Sequence, residues 1–152
     1  MSLKTAINDD LHRAMKERDE VATAALRMLV TAVRNEEVAG EVARELSDAE
    51  VVVVTSREAK KRAEAAEIYA AAGRDELAAR ERAELAVLER YLPAALDGTE
   101  LDELVAAAVA ETGASGPADM GKVMRLLGPK VAGRADGKRV SSAVKAHLAA
   151  KA

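Results

Sequence analysis

The residues best suited to chemistry lie in the last third of the chain. Residues 117–152 contain eight Lys/Arg and only two Asp/Glu, a net charge of +6, whereas the whole 152-residue chain has a net charge of −3. Lysine and arginine side chains bind phosphate oxygens, and arginine can do so through two parallel hydrogen bonds. This segregation of charge suggests an anionic partner for the basic segment, although a solvated helix surface would have the same composition.

A glycine-rich stretch within this segment has the spacing of a phosphate-binding P-loop over its first seven positions, from Gly116 to Lys122. The next residue is Val123, which has no hydroxyl group for Mg²⁺, and Pro117 has no N–H to donate to a phosphate. No strand-like segment precedes the stretch. We interpret it as the start of a helix and exclude nucleotide hydrolysis.

The start of the last predicted helix is a second candidate for phosphate binding. Asp136 is suited to cap this helix, and the pairs Gly133-Arg134 and Lys138-Arg139 flank its first turn. The N-terminus of a helix attracts anions through its free N–H groups and its dipole, and nearby cations add to that attraction. Lys122 and Arg125 lie three residues apart and predict a basic outer edge on the preceding helix.

The amino-acid composition excludes several kinds of functional site. The chain has no Cys, Trp or Phe, two His and two Tyr. Disulfides, thiolate zinc sites and cysteine nucleophiles are therefore excluded, and platforms that stack bases on aromatic rings are nearly excluded. The sequence contains no recognisable carboxylate dyad, nucleophile–base pair or set of metal ligands, so we predict no catalytic residue, no metal site and no cofactor.

The chain that must position these residues reads as all-α. It contains 35 Ala and many Leu, Glu, Arg and Lys, all strong helix formers. Ser2, Asp19 and the capping box from Ser47 to Glu50 predict three helix starts, and a fourth helix ends before Pro93. Three shorter helices follow, the first of them capped by Thr99. We therefore predict two domains, residues 1–92 with about four helices and residues 93–152 with three.

Two features inside the N-terminal part need an explanation. Val51 to Thr55 are five β-branched residues in a row, but a capping box precedes them and helix formers follow, so we predict helix there. The second helix is apolar nearly all round, which predicts that it is central and buried. Arg27 lies within it, and we expect a structural ion pair with one of three carboxylates, which are Glu58, Glu81 and Glu84.

Two stretches in the C-terminal part resemble, together, the signature of the GatB/YqeY family. They run from Ala118 to Met124 (Ala-Asp-Met-Gly-Lys-Val-Met) and from Gly133 to Lys138 (Gly-Arg-Ala-Asp-Gly-Lys). The likeness extends over essentially the whole chain, including Tyr91-Leu-Pro93, Leu26-Arg-Met-Leu29, Asn35-Glu36 and Gly73-Arg-Asp-Glu-Leu77. The chain is similar to a free-standing YqeY-like protein.

This resemblance implies an all-α fold with a helical N-terminal part and a small three-helix C-terminal part. A related segment ends the B subunit of the aspartyl/glutamyl-tRNA amidotransferase, where it is associated with holding tRNA. The resemblance thus implies a tRNA-associated, translation-linked accessory protein that is not catalytic alone. The residues that we assign to tRNA contact, from their charge and placement, are Lys122, Arg125, Arg134, Lys138 and Arg139.

Two alternatives remain open. The family label implies a component of a carbon–nitrogen ligase that uses glutamine as amido-N-donor. A protein–protein adaptor is the other, with the edge of the third helix formed by Ala65, Ile68, Tyr69 and Ala72 as its contact surface, although the simpler reading packs that edge on the second helix. The sequence shows no secretory signal and no membrane segment, so we expect a cytoplasmic protein.

Overall fold

A computed structural model describes residues 1–151, and within this range the chain contains seven α-helices, one short 3₁₀ helix and no strand. The predicted all-α class is confirmed. The chain divides into two compact units, one comprising Met1–Leu92 and the other beginning at Pro93. The helices are α1 (Leu3–Glu17), α2 (Glu20–Glu37), α3 (Asp48–Ala71) and α4 (Asp75–Glu89) in the first unit, and α5 (Gly98–Thr112), α6 (Met120–Val131) and α7 (Gly137–Lys151) in the second.

Most helices begin where the sequence predicts. The side chains of Ser2 and Asp19 accept hydrogen bonds from backbone N–H groups in the first turns of α1 and α2. Ser47 forms the expected capping box with Glu50. The prediction for α5 was wrong by two residues. Asp97, not Thr99, is its N-cap, because Asp97 forms a reciprocal capping box with Glu100 and so satisfies two backbone N–H groups at once.

The β-branched run is helical, as predicted. Val51, Val54 and Thr55 are buried on the inner side of α3, and the Thr55 hydroxyl donates a hydrogen bond of 2.8 Å to the carbonyl of Val51. Burial of these side chains offsets the weak helix propensity of β-branched residues. The run therefore forms the part of α3 that packs into the core.

The core of the first unit is assembled around one face of α2. Ala22, Ala25, Leu26, Leu29 and Val33 are buried there at helical spacing. The expectation of burial nearly all round was wrong, because the side opposite this stripe faces outwards: Met28 is 55% exposed, and Arg27 is exposed as well.

The buried arginine of this unit is Arg62 rather than Arg27. Its guanidinium lies 3.3 Å from Glu58 Oε2 on α3 and 3.5 Å from Glu84 Oε2 on α4. Two of the carboxylates expected to partner Arg27 thus pair with Arg62. The Glu58–Arg62 spacing of i,i+4, which brings side chains together on one helix face, was the signal in the sequence.

The second unit has its own core between α5, α6 and α7. Val105, Val123, Leu127 and Val144 are almost completely buried there. Helix α6 continues through Pro129 to Val131. Gly133 then adopts a left-handed conformation (φ +73°) in the turn that leads to α7, where glycine is favoured.

Two further expectations concern the packing of the α3 edge on α2 and the absence of a membrane segment. Ile68 is 69% exposed and does not pack on α2 as the simpler reading supposed. None of the helices within residues 1–151 is both long and apolar enough to cross a bilayer.

Candidate nucleic-acid interface

The first part of the candidate interface is the start of α6. Asp119 Oδ2 accepts a hydrogen bond of 3.0 Å from the backbone N–H of Ser115, and this bond lowers the pKa of Asp119 below its ordinary value. Pro117–Asp119 form a 3₁₀ turn that leads into the helix. The P-loop-like stretch is thus a turn followed by a helix, and the Asp119 carboxylate within it places a negative charge where a phosphate would otherwise be attracted.

Lys122 and Arg125 follow on α6, and both are exposed. Lys122 Nζ lies 3.9 Å from Asp119 Oδ1, and its side chain is 67% exposed, which makes this a weak surface pair. Arg125 forms no hydrogen bond or ion pair with the described residues. Both side chains are therefore available to an anion.

The second part is the start of α7. The backbone N–H of Lys138 donates a hydrogen bond of 3.0 Å to Asp136 Oδ1, in keeping with the capping role expected of Asp136. Because the chain's own carboxylate takes this N–H group, binding of phosphate near Lys138 depends on its exposed ammonium group rather than on the helix end.

Arg134 and Arg139 bind the backbone of the segment that precedes α5. Arg134 Nε donates to the carbonyl of Ala94 at 3.2 Å, and an Arg139 guanidinium nitrogen donates to the carbonyl of Leu96 at 2.8 Å. The Leu96 N–H in turn donates to the Arg134 carbonyl at 2.8 Å. These two arginines hold residues 94–96 against the turn between α6 and α7, which the sequence could not reveal because the acceptors are main-chain carbonyls.

The five predicted contact residues therefore form two groups. Arg134 and Arg139 converge on residues 94–96, with Lys138 beside Arg139 in the first turn of α7. Lys122 lies in the first turn of α6, about 14 Å along the axis from the end of that helix. The side chains that remain available to a ligand are Lys122, Arg125 and Lys138.

Other candidate groups add little chemistry. His147 is half-buried on α7 and His12 is exposed on α1. Within residues 1–151, no group of three or more His, Cys, Asp or Glu side chains is arranged to hold a metal ion.

The sequence comparison agrees with this architecture. Residues 4–148 match the family described as Yqey-like protein, and the chain belongs to this family. The family resemblance stated from the motifs is thus confirmed. No curated protein shows a significant match to the chain.

Proposed function

We propose that this protein is an RNA-binding accessory factor that holds tRNA through its second unit and has no catalytic activity of its own. The observation that supports the proposal most directly is the excess of cations in residues 117–152, where eight Lys/Arg face only two Asp/Glu. Both of those acids accept a backbone N–H group of the same unit, Asp119 that of Ser115 and Asp136 that of Lys138.

The mechanism would be contact between ammonium or guanidinium groups and the phosphate backbone, without reading of bases. Lys122, Arg125 and Lys138 are exposed and make, at most, weak pairs with the protein's own acids. Residues 93–152 contain no Phe, Trp or Tyr on which a base could stack. Affinity would then depend on charge and fall steeply with salt.

Fluorescence anisotropy with labelled tRNA at 50 and 200 mM salt tests the proposal. In the K122Q/R125Q/K138Q variant we expect the slope of log affinity against log salt to fall by roughly two to three, since each lost phosphate contact removes about one. Arg134 and Arg139 are left unchanged in this variant because they hold residues 94–96.

The matched control is R74Q/R82Q/R90Q, which removes three positive charges from exposed positions on the first unit. We expect its salt slope to stay within about half a unit of wild type. Equal losses in both variants would reduce the effect to net charge and contradict the proposed interface. Amide formation on mischarged tRNA by the purified chain would establish the ligase alternative instead.

The adaptor alternative has its own observation, the exposed Ile68 on α3. If an Ile68→Asp variant loses a protein partner that survives RNase treatment while tRNA binding is unchanged, the adaptor role takes precedence.

A further inference from the structure

A cation-lined groove on the first unit is not used by the proposed interface. Met15 at the end of α1, Arg18 in the α1–α2 turn, Arg27 on α2 and Arg80 on α4 line an open groove of about 520 Å³. Thr23 and Ala24 complete the wall of α2, and Glu20 is the one carboxylate among the lining residues. Three guanidinium groups from three different parts of the fold thus meet at one surface depression.

Two of these three arginines have no role inside the protein. The side chains of Arg18 and Arg27 form no hydrogen bond or ion pair with the described residues, and both are exposed. Arg80 lies 3.6 Å from Glu84, but that carboxylate also faces the buried Arg62, and the Arg80 side chain is 57% exposed. The groove therefore has more positive charge than its own acids neutralise.

The backbone at Arg18 is a separate observation. Arg18 has φ +58°, and among residues 1–151 it is the one non-glycine residue in the left-handed region. It ends α1 at a position where glycine is conformationally favoured, as the turns at Gly73, Gly113 and Gly133 illustrate. An arginine here keeps a guanidinium at the groove at a conformational cost that glycine would avoid.

The cationic surface continues along α1. A neighbouring groove of about 610 Å³ shares Met15 and adds His12, Arg13 and Lys16 against a single acid, Asp9. Arg13 is paired with Asp10 at 2.9 Å, whereas Lys16 forms no ion pair with the described residues. Both grooves are open rather than enclosed and both are lined by Met15, and the two together are termed the track.

We propose that this track binds the phosphodiester backbone of RNA, as a second contact region separate from the second unit. The guanidinium group of arginine can donate two parallel hydrogen bonds to phosphate oxygens, and an open groove suits a continuous strand better than a compact ligand. The lining residues include no Phe, Trp or Tyr, and His12 is the one aromatic ring among them, so binding would depend on phosphate contacts rather than on base stacking. Because its ligand is the RNA of the proposed function, the inference rests on that function, but it uses none of the same residues.

The test compares two variants of the full chain that alter Arg18 differently. R18Q/R27Q removes two charges, and R18G/R27Q does so while placing glycine where the backbone favours it. A loss shared by both variants therefore does not arise from backbone strain at residue 18. In tRNA anisotropy at 50 mM salt we expect both variants to bind about tenfold more weakly, with a salt slope lower by roughly one to two. The matched control is R74Q/R82Q, which should bind like wild type.

The outcomes separate this inference from the proposed function. Unchanged binding by R18Q/R27Q, or an equal loss in R74Q/R82Q, would overturn the groove assignment even if K122Q/R125Q/K138Q binds weakly. The reverse pattern would support the groove and overturn the interface on the second unit. Absence of tRNA binding by wild type at 50 mM salt would overturn both. A polyglutamate peptide serves as a second probe. If R18Q/R27Q binds this peptide more weakly than wild type does but binds tRNA equally well, the groove is assigned to acidic proteins and the RNA assignment is overturned.

Discussion

The two units use their positive charges differently. In the first unit, several cations outside the track pair closely with acids from other elements, as in Lys4–Glu37 at 2.6 Å, Arg44–Glu50 at 2.7 Å and Arg57–Glu36 at 3.1 Å. In the second unit, the ion pairs among the described residues are long, with Lys122–Asp119 and Lys130–Glu111 both at 3.9 Å. Formal charge is therefore a poor guide to available charge unless the partners of each side chain are known.

The difference extends to the arginines that make structural contacts. Arg62 in the first unit lies between two carboxylates, whereas Arg134 and Arg139 in the second bind neutral carbonyls. Arg62 thus joins two helices of the first unit, whereas Arg134 and Arg139 hold residues 94–96 in place without being neutralised by a carboxylate. The second unit thus keeps its positive charge while using it structurally.

The largest effect that would sharpen this comparison is expected from Arg62→Ala. The change removes the buried cation between Glu58 and Glu84 and leaves these carboxylates only the exposed Lys61 and Arg80 as partners. We expect a loss of about 3–5 kcal/mol in the free energy of unfolding of the first unit. Urea denaturation followed by circular dichroism measures the loss. The matched control is Arg80→Ala, which removes an exposed partner of Glu84 and should cost under about 1 kcal/mol.

Leu127→Ala addresses the core of the second unit. Leu127 is fully buried, and removal of its side chain in a unit this small should cost about 3 kcal/mol. Amide hydrogen exchange should show the loss of protection in α5–α7 and not in α1–α4. Equal loss of protection in both regions would mean that the two units unfold as one.

Arg139→Met tests the arginine–carbonyl contact with the aliphatic part of the side chain retained. Loss of the 2.8 Å hydrogen bond to Leu96 should destabilise the second unit by about 1 kcal/mol. Exchange of the Leu96 N–H should also accelerate, because its acceptor is the carbonyl of Arg134 in the same small network. Unchanged exchange at Leu96 would contradict a tethering role.

The smallest effect concerns pH. The hydrogen bond from the Ser115 N–H, first, and then the nearby Lys122 hold the pKa of Asp119 below its ordinary value. A lowered folded-state pKa means that the stabilisation is fully present above the unfolded value near 4 and is lost as the pH falls through the folded value. Carboxyl NMR titration should give a midpoint for Asp119 below the ordinary aspartate value near 4, and a midpoint at that value would contradict the hydrogen bond from Ser115.

Local features of the fold could be predicted from the sequence because their causes are local. Ser2, Asp19 and the Ser47–Glu50 box define helix starts through hydrogen bonds within four residues. The Asp97–Glu100 box that begins α5 is visible in the sequence too, since Asp with Glu three residues later has the spacing of a capping box.

The exposure and the partners of the arginine side chains could not be predicted, because they depend on where each side chain points and on main-chain acceptors. Arg27 has apolar neighbours in sequence, but adjacent residues in a helix point to different sides. Because Arg27 does not lie on the buried stripe of α2, its side chain is exposed. The roles of Arg134 and Arg139 required the position of residues 94–96, and the cluster around Arg18 required the packing of α1, α2 and α4.

The left-handed arginine between α1 and α2 has a consequence for engineering. A screen for heat tolerance should favour glycine at residue 18, because glycine relieves the backbone there. A screen for ligand affinity should retain arginine at the same position. Opposite preferences in the two selections would mark residue 18 as a place where stability has been traded for binding.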